Sequence, residues 1–319
     1  MQRALDELRP GDTLELPAGG YLHSGVLVVR TPGVTVTGRT ATLVATDEAA
    51  SAFRVDADRV LVDGLTFAVA ATTRRWEAPE QHKVWVSGHD GVVLRDVTVT
   101  GSAAAGIFVD GGAGGFRIER ARVRDTRADG IHMTGGAHDG VVESPTVSGT
   151  GDDGVAVVSY ERDGAPCARI TVASPWVLGT RWGRGVSVVG GRDVTYTDVR
   201  VDGSDSAAVY VAVEPGPYDT AAVAGVAVRG GRLVRSNVNP DVDHGAIVVY
   251  AGRPGVPVSG VRIEGLAVED TRATASQQVS VIGVGGRPAG VVFAGLTFTG
   301  GPRRTFGGNL PPGAYRVEH

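Results

Sequence analysis

A short block of alternating apolar residues recurs along the chain, and this repeat restricts the possible folds more than any other feature. The clearest copies are KVWVSG from Lys83, GIFVDG from Gly106, GIHMTG from Gly130, GVAVVS from Gly154 and GVSVVG from Gly185. Weaker copies begin at Ala208, Ala246 and Gln278. The glycines at 106, 130 and 154 are spaced 24 residues apart, and a fixed period of this length is typical of solenoid proteins.

The pattern inside each repeat predicts strands rather than helices. Apolar and polar residues alternate within the blocks, as they do along a half-buried strand. A second alternating run follows each block, for example VTYTDVRVDGS from Val194 and VRIEGLAVEDT from Val261. No helical period separates these runs, so strands of successive coils would stack in parallel around a Val/Ile/Leu core. We therefore predict an all-β fold, a single-stranded right-handed parallel β-helix.

We expect the whole chain, 1–319, to form one β-helix domain. Its first segment, 1–12, would be an N-terminal cap with a short amphipathic helix at Gln2–Leu8, because the open ends of a solenoid need a polar lid. The last segment, 305–319, would be a C-terminal tail that closes the other end as a strand or an arm.

Composition and charge exclude several classes of function. The formal net charge of −4 provides no basic surface for nucleic acid and no polybasic patch for a membrane. A single cysteine, Cys167, allows no internal disulfide. The first residues, Met1–Leu8, show no signal-peptide pattern, so we expect a cytoplasmic protein or a secreted one whose leader has been removed. No feature indicates an oligomer interface.

Aligning the repeats places three charged residues at equivalent positions and a fourth beside them. Asp129, Asp153 and Arg184 each precede the first glycine of a block, in three successive coils, and Asp152 flanks Asp153. Carboxylates this close cannot all remain ionised without cost, so at least one pKa should be raised. A raised acid beside an ionised base is what glycoside hydrolysis requires. The alternative is that Asp-Gly pairs only begin strands, since Asp and Gly favour turns; the shared register of the four residues favours catalysis.

Three motifs in this region resemble a known family. DGIHM from Asp129, GDDGVAV from Gly151 and GRGVSVVGG from Gly183 are similar, in order and spacing, to consecutive signatures of the polygalacturonase family, glycoside hydrolase family 28, within the pectin-lyase-like β-helices. The resemblance covers Arg127 to Gly191, about a fifth of the chain. It implies an inverting hydrolase in which Asp152 is the general acid, while Asp129 and Asp153 hold and deprotonate the attacking water.

The chain departs from this family at positions that bear on the substrate. Arg184 stands where the family has histidine. Tyr210 and Ala212 stand where it has the Arg-x-Lys pair that grips a substrate carboxylate. We therefore expect a neutral sugar, or a different reaction on a sugar-like substrate, rather than galacturonate.

Long connections between the predicted strands would build the walls of a binding cleft. They are Ala71–Gln81, Tyr160–Pro166, Trp176–Trp182, Glu214–Ala221 and Ser236–His244. Aromatic rings suit stacking on sugars, and histidines on the same face would contact the substrate. The predicted substrate-binding residues are His132, Trp182, Tyr210, Tyr160, His82, Trp76 and His244.

Three other functions remain open beside the glycoside hydrolase, for which we expect a carbohydrate partner and no cofactor. The first is a calcium-dependent polysaccharide lyase or epimerase, in which Asp129, Asp152 and Asp153 bind Ca²⁺ and Arg184 handles the proton. The second is a β-helix recruited to rearrange a sugar or a secondary metabolite. The third is a non-catalytic carbohydrate-binding protein. The acidic cluster lacks the His/Cys spacing of a zinc site.

Overall fold

The computed structural model describes residues 1–311 and 313–318, and these residues form an almost entirely β structure. One α-helix, α1 at Gln2–Asp6, and three 3₁₀ turns at Glu48–Ala50, Pro79–Gln81 and Glu161–Asp163 are the helical elements described. The strands, in chain order, are β1 Thr13–Glu15, β2 Gly19–His23, β3 Leu27–Val29, β4 Thr35–Thr37, β5 Ala41–Ala45, β6 Phe53–Val55, β7 Leu61–Asp63, β8 Thr66–Val69, β9 Val84–Ser87, β10 Val93–Arg95, β11 Thr98–Ser102, β12 Ile107–Asp110, β13 Arg117–Glu119, β14 Arg122–Thr126, β15 Ile131–Met133, β16 Val141–Glu143, β17 Thr146–Thr150, β18 Val155–Val158, β19 Ala168–Ala173, β20 Trp176–Thr180, β21 Val186–Val189, β22 Gly191–Asp202, β23 Val209–Val213, β24 Val223–Val234, β25 Ile247–Ala251, β26 Val258–Glu269, β27 Val279–Gly283, β28 Val292–Ala294, β29 Thr297–Thr299, β30 Phe306–Gly308 and β31 Arg316–Glu318.

These strands wind into a parallel β-helix. One sheet, which we call the site sheet, has eleven strands: β3, β6, β9, β12, β15, β18, β21, β23, β25, β27 and β30. The remaining strands form a twenty-stranded sheet that covers the other sides of the coil. Strands pair in parallel with the equivalent strands of the neighbouring coils, for example β15 with β12 and β18. Buried Val, Ile, Leu and Phe side chains fill the axis.

The register of the site sheet is the one predicted from the repeats. Ile107 pairs with Ile131, Ile131 with Val155, and Val155 with Val186. Because side chains alternate along a strand, the next residue in each strand points outward. Phe108, His132, Ala156, Ser187 and Tyr210 therefore follow one another along the outer face.

Buried hydroxyl groups fix the turns that lead into the site sheet. Thr126 Oγ1 donates a hydrogen bond to the carbonyl of Ala128 (2.7 Å), and Thr150 Oγ1 donates to that of Asp152 (2.6 Å). The glycine after the turn is required by close packing, since a Cβ on Gly130 would lie 2.3 Å from Cγ1 of Val147. Each turn is therefore narrow, and it presents the aspartates at the edge of the sheet where its strands begin, which we call the leading edge.

Both ends of the described coil are covered. Leu5 of α1 is buried in the core, and the Gln2 side chain pairs with the exposed edge of β3 by donating to the Val28 carbonyl (2.9 Å) and accepting from its amide (2.8 Å). In the predicted tail, 305–319, β30 pairs with β27 and β31 pairs with β28; Pro312 and His319 lie outside the described residues. Within the described ranges, no helix has the length and apolar character needed to cross a membrane.

Candidate active site

A cavity of about 830 Å³ lies on the outer face of the site sheet. Phe108 and His132 contribute to its floor, and Asp129, Asp152 and Asp153 line it at the leading edge. The cavity therefore coincides with the charged positions that the sequence singled out.

The connection 71–81 forms the wall at the leading edge. Trp76 donates its backbone amide to the carbonyl of Ala103 (2.8 Å), and Arg127 Nε donates to Thr72 Oγ1 (3.0 Å). Ala103 and Arg127 belong to the turns before β12 and β15, so the connection runs across successive coils. This path carries Arg75 to the aspartates.

Two connections at the opposite, trailing edge of the site sheet form the other wall. Tyr160 and Thr220 make an antiparallel bridge between them. Arg253 fastens the two together, because its Nη2 donates to Glu161 Oε2 (2.8 Å) and its Nη1 donates to the carbonyl of Thr220 (2.7 Å). The connections 160–166 and 214–221 thus behave as one wall.

Three buried carboxyl groups, Asp129, Asp152 and Asp153, meet between these walls and form what we call the aspartate cluster. One oxygen from each lies within 4.8 Å of the others. The arrangement follows from the parallel register, which stacks the turn before β18 on the turn before β15.

Hydrogen bonds fix two members of the cluster. Asp129 accepts from the amide of Asp153 through Oδ1 (2.9 Å) and contacts Nδ1 of His132 through Oδ2. Asp153 accepts from the amide of Arg184 through Oδ1 (2.7 Å) and from Oγ of Ser187 through Oδ2 (2.5 Å). These contacts fix the orientation of both carboxyl groups in the cleft.

Asp152 has a different environment. Its Oδ2 accepts a 2.7 Å hydrogen bond from Nη1 of Arg75, while Oδ1 accepts none from the described residues. Burial, with the neighbouring carboxylates of Asp129 and Asp153, raises the pKa of Asp152 to about 8, although Arg75 opposes the shift. Burial raises the pKa of Asp153 as well, with Arg184 opposing that shift and Asp129 adding to it. The cluster therefore retains a proton at neutral pH, and Asp152 is the group best placed to carry it.

Arg184 crosses the sheet beside the cluster. Its Nη1 lies 3.8 Å from Asp153 Oδ1, and its Nη2 lies 3.1 Å from Glu214 Oε1. The guanidinium carbon is 4.2 Å from the centre of the Tyr210 ring, and the Tyr210 hydroxyl donates to Glu214 Oε1 (2.9 Å). These contacts hold the arginine in place and bury Tyr210 beneath it.

The structure brings most of the predicted substrate-binding residues to the cavity. Trp76, Tyr160, Trp182 and His132 line it, and Trp182 is 51% exposed. His82 also lines it but is buried, with its ring stacked 3.9 Å from that of Phe108.

Two predicted substrate-binding residues lie elsewhere. Tyr210 and His244 are not part of the described cavity lining. Tyr210 is covered by Arg184, and the His244 ring stacks against Tyr210 with centroids 6.0 Å apart. The predicted register correctly placed both residues on the outer face of the sheet. The side chains packed above Tyr210, however, separate both from the cavity.

One predicted wall connection is also wrong. The segment Trp176–Trp182 was expected to be a long connection, yet Trp176–Thr180 is strand β20 of the larger sheet. Val147 pairs with Val177 in this region, so the segment continues the regular coil. Only the turn from Arg181 reaches the cavity, and it brings Trp182 there.

Sequence reasoning missed three residues at the site: Arg75, Ser187 and Glu214. Arg75 precedes Trp76 in one predicted wall connection, and Glu214 begins another. The sequence therefore indicated where both residues lie, but not which residues they contact. Ser187 had a clearer signal, because it is the outward residue of the coil that follows the Asp152–Asp153 turn.

Comparison with known proteins supports the fold. The family model described as the right-handed β-helix region matches residues 62–216. No curated protein matches the sequence.

Solved structures resemble this chain over nearly its whole length. The catalytic domain of a family 87 α-1,3-glucanase variant, in complex with tetrasaccharides, matches 96% of this chain and 64% of its own at 14% identity (TM-score 0.75). The catalytic unit of the thermostable family 87 α-1,3-glucanase from Streptomyces thermodiastaticus matches 96% of this chain and 62% of its own at 18% identity (0.65). The A-module of the Azotobacter vinelandii mannuronan C-5 epimerase matches 96% and 90% at 15% identity (0.57).

This chain spans less than two thirds of the length of the two glucanase chains, and at such identities the likeness concerns the fold. The chain has a right-handed parallel β-helix fold, as the repeats predicted.

Proposed function

We propose that this right-handed β-helix is a glycoside hydrolase that cleaves a neutral glycan by acid–base catalysis. The observation that carries the proposal is the aspartate cluster at the cavity, where three buried carboxyl groups lie within 4.8 Å and one has its pKa raised to about 8. The likeness in fold to two α-1,3-glucanases adds support and makes an α-1,3-linked glucan the first substrate to test.

The proposed reaction adds one water molecule across the glycosidic bond. Protonated Asp152 donates its proton to the glycosidic oxygen as the bond from that oxygen to the anomeric carbon breaks. Asp129 and Asp153 hold the water, whose oxygen attacks the anomeric carbon while its proton passes to a carboxylate of the pair. Hydrogen bonds from Ser187 and the Arg184 amide keep Asp153 oriented for this role.

The charges around the cavity support a neutral substrate. Seven carboxyl groups and three guanidinium groups line it. An anionic glycan would be repelled by this excess of negative charge. The positions of the family's carboxylate-gripping pair hold Tyr210 and Ala212, and both are buried.

The calcium-dependent lyase or epimerase is supported less well. A Ca²⁺ ion takes about six to eight oxygen ligands, whereas the aspartate cluster brings three carboxyl groups together, one of which is bonded to Arg75. Arg184, the proposed proton-handling group of that reaction, is paired with Glu214. Loss of activity on adding a chelator, restored by Ca²⁺, would favour this reaction over hydrolysis.

The test is hydrolysis of a panel of neutral and acidic glycans by the wild type and by Asp152→Asn and Asp153→Asn. We expect activity on a neutral glycan and a loss of about 10²–10⁴-fold for Asp152→Asn, the usual contribution of a general acid. The matched control is Asp110→Asn, which changes a cavity carboxylate outside the cluster, bonded to Trp85 Nε1 (2.7 Å). If neither cluster variant lowers turnover on any active substrate, the acid–base assignment is wrong.

The anomeric configuration of the first product provides a second test. In inverting hydrolases the two carboxyl groups usually stand about 6.5–9.5 Å apart, and in retaining enzymes about 5 Å apart. Oxygens of the three carboxyl groups lie within 4.8 Å of one another, nearer to the retaining separation, whereas the resemblance of the three motifs to glycoside hydrolase family 28 implies inversion. We expect inversion, measured by NMR at early times. Retention would instead assign a member of the pair as a nucleophile.

A further inference from the structure

The cavity has a closed end, formed by Arg184 and Glu214. Arg184 comes from the turn before β21 at the leading edge, and Glu214 follows β23 at the trailing edge. Their 3.1 Å ion pair therefore spans the width of the site sheet. The pair lies above the Tyr210 ring, and the Tyr210 hydroxyl donates a hydrogen bond to Glu214. Tyr210 therefore contacts both members of the pair. We call Arg184 and Glu214 the end-wall pair.

Behind the end-wall pair the outer face of the sheet is covered. Val248 and Ser280 continue the outward register of Tyr210, yet they are only 1% and 0% exposed. The Ser280 hydroxyl donates to the carbonyl of His244 (2.6 Å), whose ring stacks on Tyr210. A glycan lying along the sheet therefore meets packed protein beyond Arg184.

In the opposite direction the cavity continues. Phe108 and Asp110 line it in the coil that precedes Asp129, and Gly135 lines it in the coil that Asp129 begins. Successive coils are about 4.8 Å apart, a distance close to the length of one hexose unit. The floor on this side therefore extends over the coils of β15 and β12.

The cluster lies directly beside the closed end. Asp153 accepts a 2.7 Å hydrogen bond from the Arg184 amide. The reacting carboxyl groups and the end-wall pair therefore lie on adjacent coils. Resting on the proposed hydrolase activity, we infer that this enzyme is exo-acting. The end-wall pair stops one end of the glycan chain, and each cleavage releases a product of one or two sugar units.

The first test uses the wild-type protein with linear α-1,3-gluco-oligosaccharides labelled at the reducing end, and with the neutral glycan found active in the panel. We expect one short product from the earliest times, with little loss of polymer viscosity. Oligosaccharides capped at the end that enters the wall should be hydrolysed at least tenfold more slowly than uncapped ones.

A variant tests the wall itself. Glu214→Ala removes the partner of Arg184 and frees space above Tyr210, so we expect the released product to lengthen by one unit and the discrimination against capped chains to fall. The control is Glu77→Ala, which removes an 85% exposed cavity carboxylate on the connection 71–81; it should leave the product length unchanged.

The outcomes separate the two claims. Mixed internal fragments from the wild type, or equal rates on capped and uncapped chains, would overturn exo action while leaving hydrolysis intact. An unchanged product length in folded Glu214→Ala would overturn the assignment of the wall to this pair. Failure to hydrolyse any glycan would overturn the proposed function and this inference with it.

Discussion

Arg75 donates a 2.7 Å hydrogen bond to Asp152 from a connection 77 residues earlier in the chain. The arginine side chain is 42% exposed, whereas that of Asp152 is 13% exposed. A partly solvated cation thus lies over the most accessible edge of the aspartate cluster. It offsets part of the repulsion among the three carboxyls, and it favours the ionised form of the proposed general acid.

Replacing Arg75 should move the pH dependence of catalysis. Because Arg75 opposes the upward shift of the Asp152 pKa, Arg75→Gln should raise that pKa further and keep the acid protonated to higher pH. We expect the alkaline limb of the profile of kcat/KM against pH to move upward. Arg74→Gln is the matched control, since Arg74 stacks on Trp76 at 3.6 Å. An alkaline limb that stays in place or moves downward would contradict the prediction.

The cluster should also be visible in stability, without any substrate. The pKa of Asp152 is raised from 3.8 to about 8, so the folded protein binds more protons than the unfolded chain between these values. By linkage, this residue's contribution to the free energy of unfolding is lost as the pH rises through that window. We expect the wild type to lose stability relative to Asp152→Asn as the pH rises from 4 to 8. The free energy of unfolding of each protein is measured by urea unfolding.

The control for this measurement is Asp125→Asn, which changes an aspartate on β14 whose side chain is 56% exposed. Because the Asp125 carboxyl is exposed and lies outside the aspartate cluster, its replacement should not reproduce the pH dependence expected for Asp152→Asn. A stability difference for Asp152→Asn that does not change with pH would show that the pKa of this carboxyl is not raised in the folded protein.

The fold and the aspartate cluster were accessible from sequence because both depend on the repeat. A period of 24 residues fixes which residues lie on top of one another, so aligning Gly130 with Gly154 also aligns Asp129 with Asp153. The narrow glycine turns leave little freedom in where those side chains emerge.

The rest of the site depends on contacts that no period encodes. The path of the connection 71–81 is set by Arg127 and by the backbone of Ala103, so the meeting of Arg75 with Asp152 has no local signal. For Tyr210 the position was predicted correctly and the exposure was not. Its register was predicted correctly, but its burial depends on Arg184 bending over it to Glu214.

Gly183 limits the space available to the cluster. Its φ is +90°, and a Cβ there would lie 2.6 Å from Oδ1 of Asp152 and 2.8 Å from Oδ1 of Asp153. Gly183→Ala should therefore displace both carboxyls and reduce activity by more than tenfold, beyond a backbone cost of roughly 1–2 kcal/mol. Gly164→Ala is the control, because Gly164 has a similar φ of +79° but no atom near the added Cβ. Equal activity losses in the two variants would remove the steric explanation.

Lys83 is the only lysine in the chain, and it is fully buried. Its Nζ donates to the carbonyl of Ser51 (2.6 Å) and lies 3.1 Å from Nε2 of His23. Burial lowers the pKa of His23 to about 4, so this imidazole is neutral at pH 7. No carboxylate of residues 1–311 or 313–318 pairs with Lys83, and burial lowers its pKa from 10.5 to about 7.

This single lysine makes the prediction directly measurable. Protein labelled with ¹³C-lysine should give one ε-carbon signal, titrating near pH 7. Between about pH 7 and 10.5 the unfolded chain binds more protons at this position, so stability should rise with pH by roughly 5 kcal/mol across the window. Lys83→Met should lose that rise while keeping the volume of the side chain. A signal that titrates near pH 10.5 would show that water reaches the ammonium group and that the site does not depress its pKa.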